Sequence, residues 1–213
     1  MDRDNNESTE SAHDDPILER VLSDSAYEKE RVERFAHFKQ PIPRKLAIQG
    51  YLLGSLALLI PLYSIYPEST AAYLPSLNPV VASPKVLLLG VFGATVEFGT
   101  AALLVGVGLY RAQNEPLSEE EASTLFDVET FASYLGFGTG GLCILLTLGF
   151  FLLGIGGAEA VGWYVTTMEG INPFSATGTG FSVGHLGTMA LSGALVIALA
   201  RGYVASRLEA LDV

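Results

Sequence analysis

One carboxylate, Glu97, interrupts the otherwise uncharged run "LLLGVFGATVEFGTAALLVGVGLY" from Leu87 to Tyr110. An acid in a membrane-length apolar segment is costly and marks a proton, ion or partner site until shown otherwise. On a helix its same-face neighbours lie at i±3, i±4 and i±7, which are Gly90, Gly93, Ala94, Thr100, Ala101 and Leu104. Five of these six are small, so Glu97 is expected on a seam between closely approaching helices and not on lipid. Three roles are open to it: a protonated group donating one structural hydrogen bond, a proton or cation step, or a contact to a partner.

His185 is the second group of interest, because histidine is rare within membranes and titrates near neutrality. At helical spacing it joins a polar stripe of Gly178, Ser182, Thr188 and Ser192. Glu97 lies 14 residues before Arg111 and His185 lies 16 before Arg201. With a rise of about 1.5 Å per residue, the two would sit within about 3 Å of the same depth. A Glu97–His185 hydrogen-bonded or ionic pair is the expectation if their helices face each other. A further stripe, Gly136, Gly140, Cys143 and Thr147, reads as a helix-packing seam.

Other chemistry finds no support in the residues. There is no G-x-x-x-x-G-K-[ST] loop, no C-x-x-C and no H-E-x-x-H. Of His13, His37 and His185 only the last lies in an apolar segment, so a bis-histidine haem site is not expected. Ser182 lies near His185 but no nucleophile elbow surrounds it. No enzyme activity, metal or cofactor is expected, and the single Cys143 allows no internal disulfide.

The elements that must hold these side chains follow from hydropathy. Of 213 residues 49% are hydrophobic and 16% charged, and the charges avoid four segments at about 46–66, 86–110, 131–153 and 183–200. Each has about the 17–25 residues that cross a bilayer core. The fold expected is an all-α membrane protein of four transmembrane helices. Eight of the twelve Lys and Arg precede the first span, Arg111 follows the second, and Arg201 and Arg207 follow the fourth. The segments 67–84 and 154–182 carry neither residue. By the positive-inside rule both termini face the cytoplasm of a cell membrane, a viral membrane being the alternative.

Residues 1–45 read as an acidic cytoplasmic tail with a disordered start and a helix at about 16–38, opened by Asp15–Pro16 and folding back on the protein or on a partner, or else remaining a mobile, solvated tail. Residues 46–200 form the bundle and 201–213 a short tail. "VERFAHF" at 32–38 resembles "VETFASY" at 128–134, an offset of 96 that hints at two parallel hairpins, 46–110 and 131–200. The loop "PESTAAYLPSLNPVVASP" should be irregular, and Asn172–Pro173 should cap an early start of the fourth helix. Trp163 and Tyr164 suit a membrane interface.

The net charge of −11, with Arg eight to Lys four, resembles the acidic, lysine-poor composition of proteins from salt-loving archaea. It also argues against nucleic acid as a partner, since phosphate binding relies on Lys and Arg. Two functions compete. One is a non-catalytic structural or accessory subunit of a membrane assembly, as in a respiratory or transport complex or a lipid-containing virus, with the bilayer and other membrane subunits as partners. The other is a small proton or cation transporter or channel that uses Glu97 and His185, as a homo-oligomer.

Overall fold

Pro41, Ile42 and Pro43 open the first long helix, where fixed proline φ angles and missing N–H groups cost nothing. In the computed structural model, which describes residues 25–33 and 38–211, this helix (α2, Ile42–Ser64) follows a short one (α1, Ala26–Glu33). It tightens to a 3-10 turn at Leu56–Leu58, which accommodates Pro61, a residue that would otherwise clash with the carbonyl four positions back. Then come α3 (Leu87–Asn114), α4 (Glu119–Ile155), α5 (Gly157–Thr167) and α6 (Val183–Glu209). Helix makes up 76% of the structure and no strand occurs among the described residues. Helices α2, α3, α4 and α6 are each long and apolar enough to cross a membrane.

The helix starts are written in local chemistry. Ser118 and Glu121 form a capping box at α4, behind which Glu119, Glu120 and Glu121 complement the positive helix end. At α6 the same device uses Ser182 and His185. α4 is unbroken over 37 residues, but "YLGFGTG", Tyr134–Gly140, winds as a π-helix. That wider turn shifts the register of one helix face and is often found at functional sites.

α3 touches each of the other three spans. Glycines set the approach: a Cβ on Gly90 would meet Leu186 at 2.9 Å and Thr147 at 3.1 Å, and one on Gly93 would meet the Gly140 carbonyl at 3.0 Å. Ile42 and Val204 both adjoin Gly108, so the start of α2 and the ends of α3 and α6 share one end of the bundle, called here the terminal end. Leu46, Leu53, Leu104, Ile144, Leu186 and Ile197 fill the core. Leu88, Phe92, Leu145, Leu152, Leu195 and Leu199 cover the outside, an apolar surface suited to lipid and not to water.

At the opposite, loop end, Tyr63, Tyr66, Phe151 and Phe174 pack into a buried aromatic cluster. The two connecting loops are knitted above it by backbone bonds, among them Lys85 N–H to Ser175, Thr177 N–H to Ser83 and Val183 N–H to Ala82. Asn172 does not start the fourth helix. Its Oδ1 accepts from Phe174 N–H at 2.9 Å and its Nδ2 donates to the Tyr73 carbonyl, so it makes a local turn that buries Phe174, and α6 begins eleven residues later at Val183. Gly178 precedes that helix in a left-handed conformation (φ 74°). The second loop also contains a helix, α5, that the glycine-rich sequence did not announce.

Of the helix expected at 16–38, the described portion is α1; residues 16–24 and 34–37, with Asp15–Pro16 and most of the 32–38 motif, lie outside the described residues. α1 packs on the terminal end through Tyr27, buried against Leu117 and Ala122, under the Arg111 guanidinium 4.4 Å from its ring. Arg111 also pairs with Glu28 at 3.0 Å. Separately, α3 and α6 begin at Leu87 and Val183, 96 residues apart, the same offset as the two similar heptapeptides.

Candidate intramembrane ion site

Helical periodicity turns Glu97 inward, where it has 0% exposure and faces the π-helical segment of α4. Three glycines line that contact. Cβ atoms built on Gly136, Gly140 and Gly141 would come within 3.5 Å of Glu97 Oε2, 3.1 Å of its Cγ and 3.6 Å of its Oε1. The absence of side chains there makes room for the carboxyl, and it also leaves nothing to bond it: neither oxygen has a hydrogen-bond partner among the described residues.

Beside it, Gln49 Nε2 of α2 donates to Thr100 Oγ1 at 2.8 Å, and Thr100 in turn donates to the Val96 carbonyl. Gln49 Oε1 is buried and unpartnered. The same point above Gly136 lies 2.5 Å from Gln49 Nε2, 2.8 Å from Thr100 Oγ1 and 3.5 Å from Glu97 Oε2, so the three side chains converge on one spot.

One turn towards the terminal end from Gln49, Lys45 Nζ donates to Glu129 Oε1 at 2.6 Å. Lys45 and Glu129 are each 2% exposed. Ser133, one turn along α4 from Glu129, is fully buried and donates to the Glu129 carbonyl. A buried polar string thus runs from Lys45 and Glu129 through Ser133, Gln49 and Thr100 to Glu97. One turn from Lys45 to Gln49 and three residues from Thr100 to Glu97 give it an axial length of about 10 Å. Beyond Glu97 the core is apolar at Ile144 and Leu186, apart from the buried Thr147, whose hydroxyl is returned to the Cys143 carbonyl of its own helix, and then closes in the aromatic cluster.

His185 is not part of this site. Gly90 meets Leu186 and Gly108 meets Val204, so α3 and α6 run side by side at an offset of 96 residues (186 − 90 and 204 − 108). Glu97 is therefore level with Gly193, eight residues or about 12 Å below His185. The depth estimate fails because α6 continues through Arg201 to Glu209, and the arginine level with Arg111 is Arg207. His185 is exposed; its Nδ1 accepts from the Ser182 backbone N–H at 3.2 Å and its ring stacks on Phe181. It is a capping residue.

Of the other residues singled out in the sequence, Thr100 is brought to Glu97. Ser182 is the buried cap of α6, while Thr188 and Ser192 face outward and return their hydroxyls to carbonyls one turn back. Gly90, Gly93, Ala101, Gly136 and Gly140 are buried in seams, and Ala94 is half-buried. Lys45, Gln49, Glu129 and Ser133 were missed. Their signal was the i, i+4 spacing of Lys45 with Gln49 and of Glu129 with Ser133, hidden because both charged members stand just outside the apolar windows.

Among the described residues no cluster of three or more His, Cys, Asp or Glu forms a metal centre. The chemistry open to this site is the uptake of a proton or of one small oxygen-liganded cation. Comparison with protein-family models, curated proteins and solved structures finds no match to the chain. The four long apolar helices are compatible with a multi-pass membrane protein.

Proposed function

We propose that this protein takes up a proton, or one small monovalent cation, at Glu97 from the terminal end of the bundle. The observation that carries this is a fully buried carboxyl with both oxygens unpartnered, placed where a buried polar string ends. An unpaired carboxylate in a dry interior is strongly disfavoured, and a bound cation or proton cancels its charge. The neighbouring Gln49 Oε1 and Thr100 Oγ1 offer further oxygen ligands, or anchors for a bridging water.

The string does not continue to the loop end, which favours a coupling subunit over a self-contained channel. In this reading the chain is a non-catalytic, accessory part of a larger membrane assembly or homo-oligomer, and the ion step serves that assembly. The concentration of Lys and Arg near the terminal end supports loading from the cytoplasm.

Infrared difference spectroscopy of the protein in lipid, titrated with acid, tests the reading directly. A carboxyl band that changes with pH in the wild type and is missing in Glu97→Gln is expected, and sodium that competes with it would identify a cation arm. An identical band in Glu97→Gln would remove Glu97 from the mechanism. Stoichiometric partners should co-purify in mild detergent; an isolated monomer would count against the assembly role.

A further inference from the structure

The flank where α2 meets α6 carries a furrow of about 700 Å3, floored by Ala47, Gly50 and Gly54 of α2 and Ala194 and Ala198 of α6. It exists because the two backbones are already in contact beneath it. A Cβ on Gly50 would lie 3.5 Å from Ile197, and one on Gly54 would lie 3.3 Å from Ala194. Tyr51, Leu58, Leu191 and Leu195 stand up as apolar walls and are all exposed. The furrow therefore opens outward on the surface that faces lipid.

Arg201 closes its terminal end. Of the cations near it, Lys45 pairs with Glu129, Arg111 with Glu28 and Glu115, and Arg207 with the Tyr203 hydroxyl and ring, while Arg44 of α2 is exposed beside the same end of the furrow and can add to its positive charge. Arg201 is exposed and makes no ion pair or side-chain hydrogen bond among the described residues. Gly50 is level with Ile197, so Arg201 lies about one turn further towards the terminal end, level with Leu46 and about 6 Å inside the first residue of α2. From that depth an arginine stem runs along apolar surface and its head reaches the headgroup layer.

We propose that this furrow binds one anionic phospholipid, with an acyl chain along the alanine and glycine floor and its phosphate on Arg201. The guanidinium fork matches two phosphate oxygens, and the small floor admits a chain that larger side chains would exclude. A helix from a second copy would fit the width. Seated there, however, it would cover Arg201 in a furrow lined by no acid, leaving a buried cation unpaired.

The test is native mass spectrometry of the full chain released from bilayers of equal parts phosphatidylglycerol and phosphatidylcholine. The wild type should retain phosphatidylglycerol in preference. Arg201→Gln should lower that retention about fivefold, the equivalent of the ~1 kcal/mol that one basic residue gains at an anionic surface. Arg201→Lys should restore part of it. Ala198→Leu, which narrows the floor without changing charge, should lower it as well. Arg207→Gln makes the same charge change on the same helix outside the furrow and should have no effect. Equal losses in Arg201→Gln and Arg207→Gln would mean general surface attraction and overturn the proposal. So would equal retention of phosphatidylcholine, or a dimer cross-linked through Ala198→Cys. Helical circular dichroism of each variant shows that a lost lipid is not a lost fold.

Discussion

Removing one partner of the Lys45–Glu129 pair should harm this protein more than removing both. The two charges are 2.6 Å apart and each residue is 2% exposed. At an effective dielectric constant of about 20 their attraction is about 6 kcal/mol. Desolvation of two ions costs several kcal/mol each, so the net contribution of the intact pair is small. Glu129 Oε2 has no hydrogen-bond partner, which leaves part of that desolvation without compensation. Lys45→Met alone, or Glu129→Leu alone, strands a charge and should cost about 3–5 kcal/mol, whereas Lys45→Met/Glu129→Leu should recover most of the loss. Reversible unfolding in mixed micelles, followed by helical circular dichroism, gives all four corners of the cycle. A single variant costing under about 1 kcal/mol, or a double variant losing the sum of the singles, would refute the reasoning.

Other expectations concern the glycine seam and the helix caps. Gly136→Ala places a methyl 2.5 Å from Gln49 Nε2 and 2.8 Å from Thr100 Oγ1, so the Gln49–Thr100 bond must break, at about 1–3 kcal/mol in the same unfolding assay. Gly138→Ala, with nothing within 4 Å, is its control and should cost nothing. Gly154→Ala drives a methyl into the Tyr66 ring, which is tied through its hydroxyl to the Phe151 carbonyl, and should cost about 1–3 kcal/mol. Ser182→Ala removes the cap of α6 and should lower stability by about 0.5–2 kcal/mol. His185→Ala should leave the infrared band of Glu97 in place, because about 12 Å of helix separates the two.

The four spans could be read from the chain because membrane crossing is a property of single segments: length, apolar content and the exclusion of charge. The inward direction of Glu97 was equally legible, since Gly90, Gly93, Thr100 and Ala101 share its face by helical period alone. Ser118 with Glu121 is likewise a local signal, one turn long. What needed the tertiary structure was every relation between segments. The depth of one helix against another depends on which glycine accepts which side chain, so the contacts of Gly90 with Leu186 and of Gly108 with Val204 decided that His185 stands away from Glu97. The Lys45–Glu129 pair joins residues 84 positions apart, each at the edge of its own apolar run, and no periodicity within either run reports the other. The π-helical turn at Tyr134–Gly140 lies where Glu97 and Val96 of α3 pack against Gly140, a long-range contact that the local sequence "YLGFGTG" does not report.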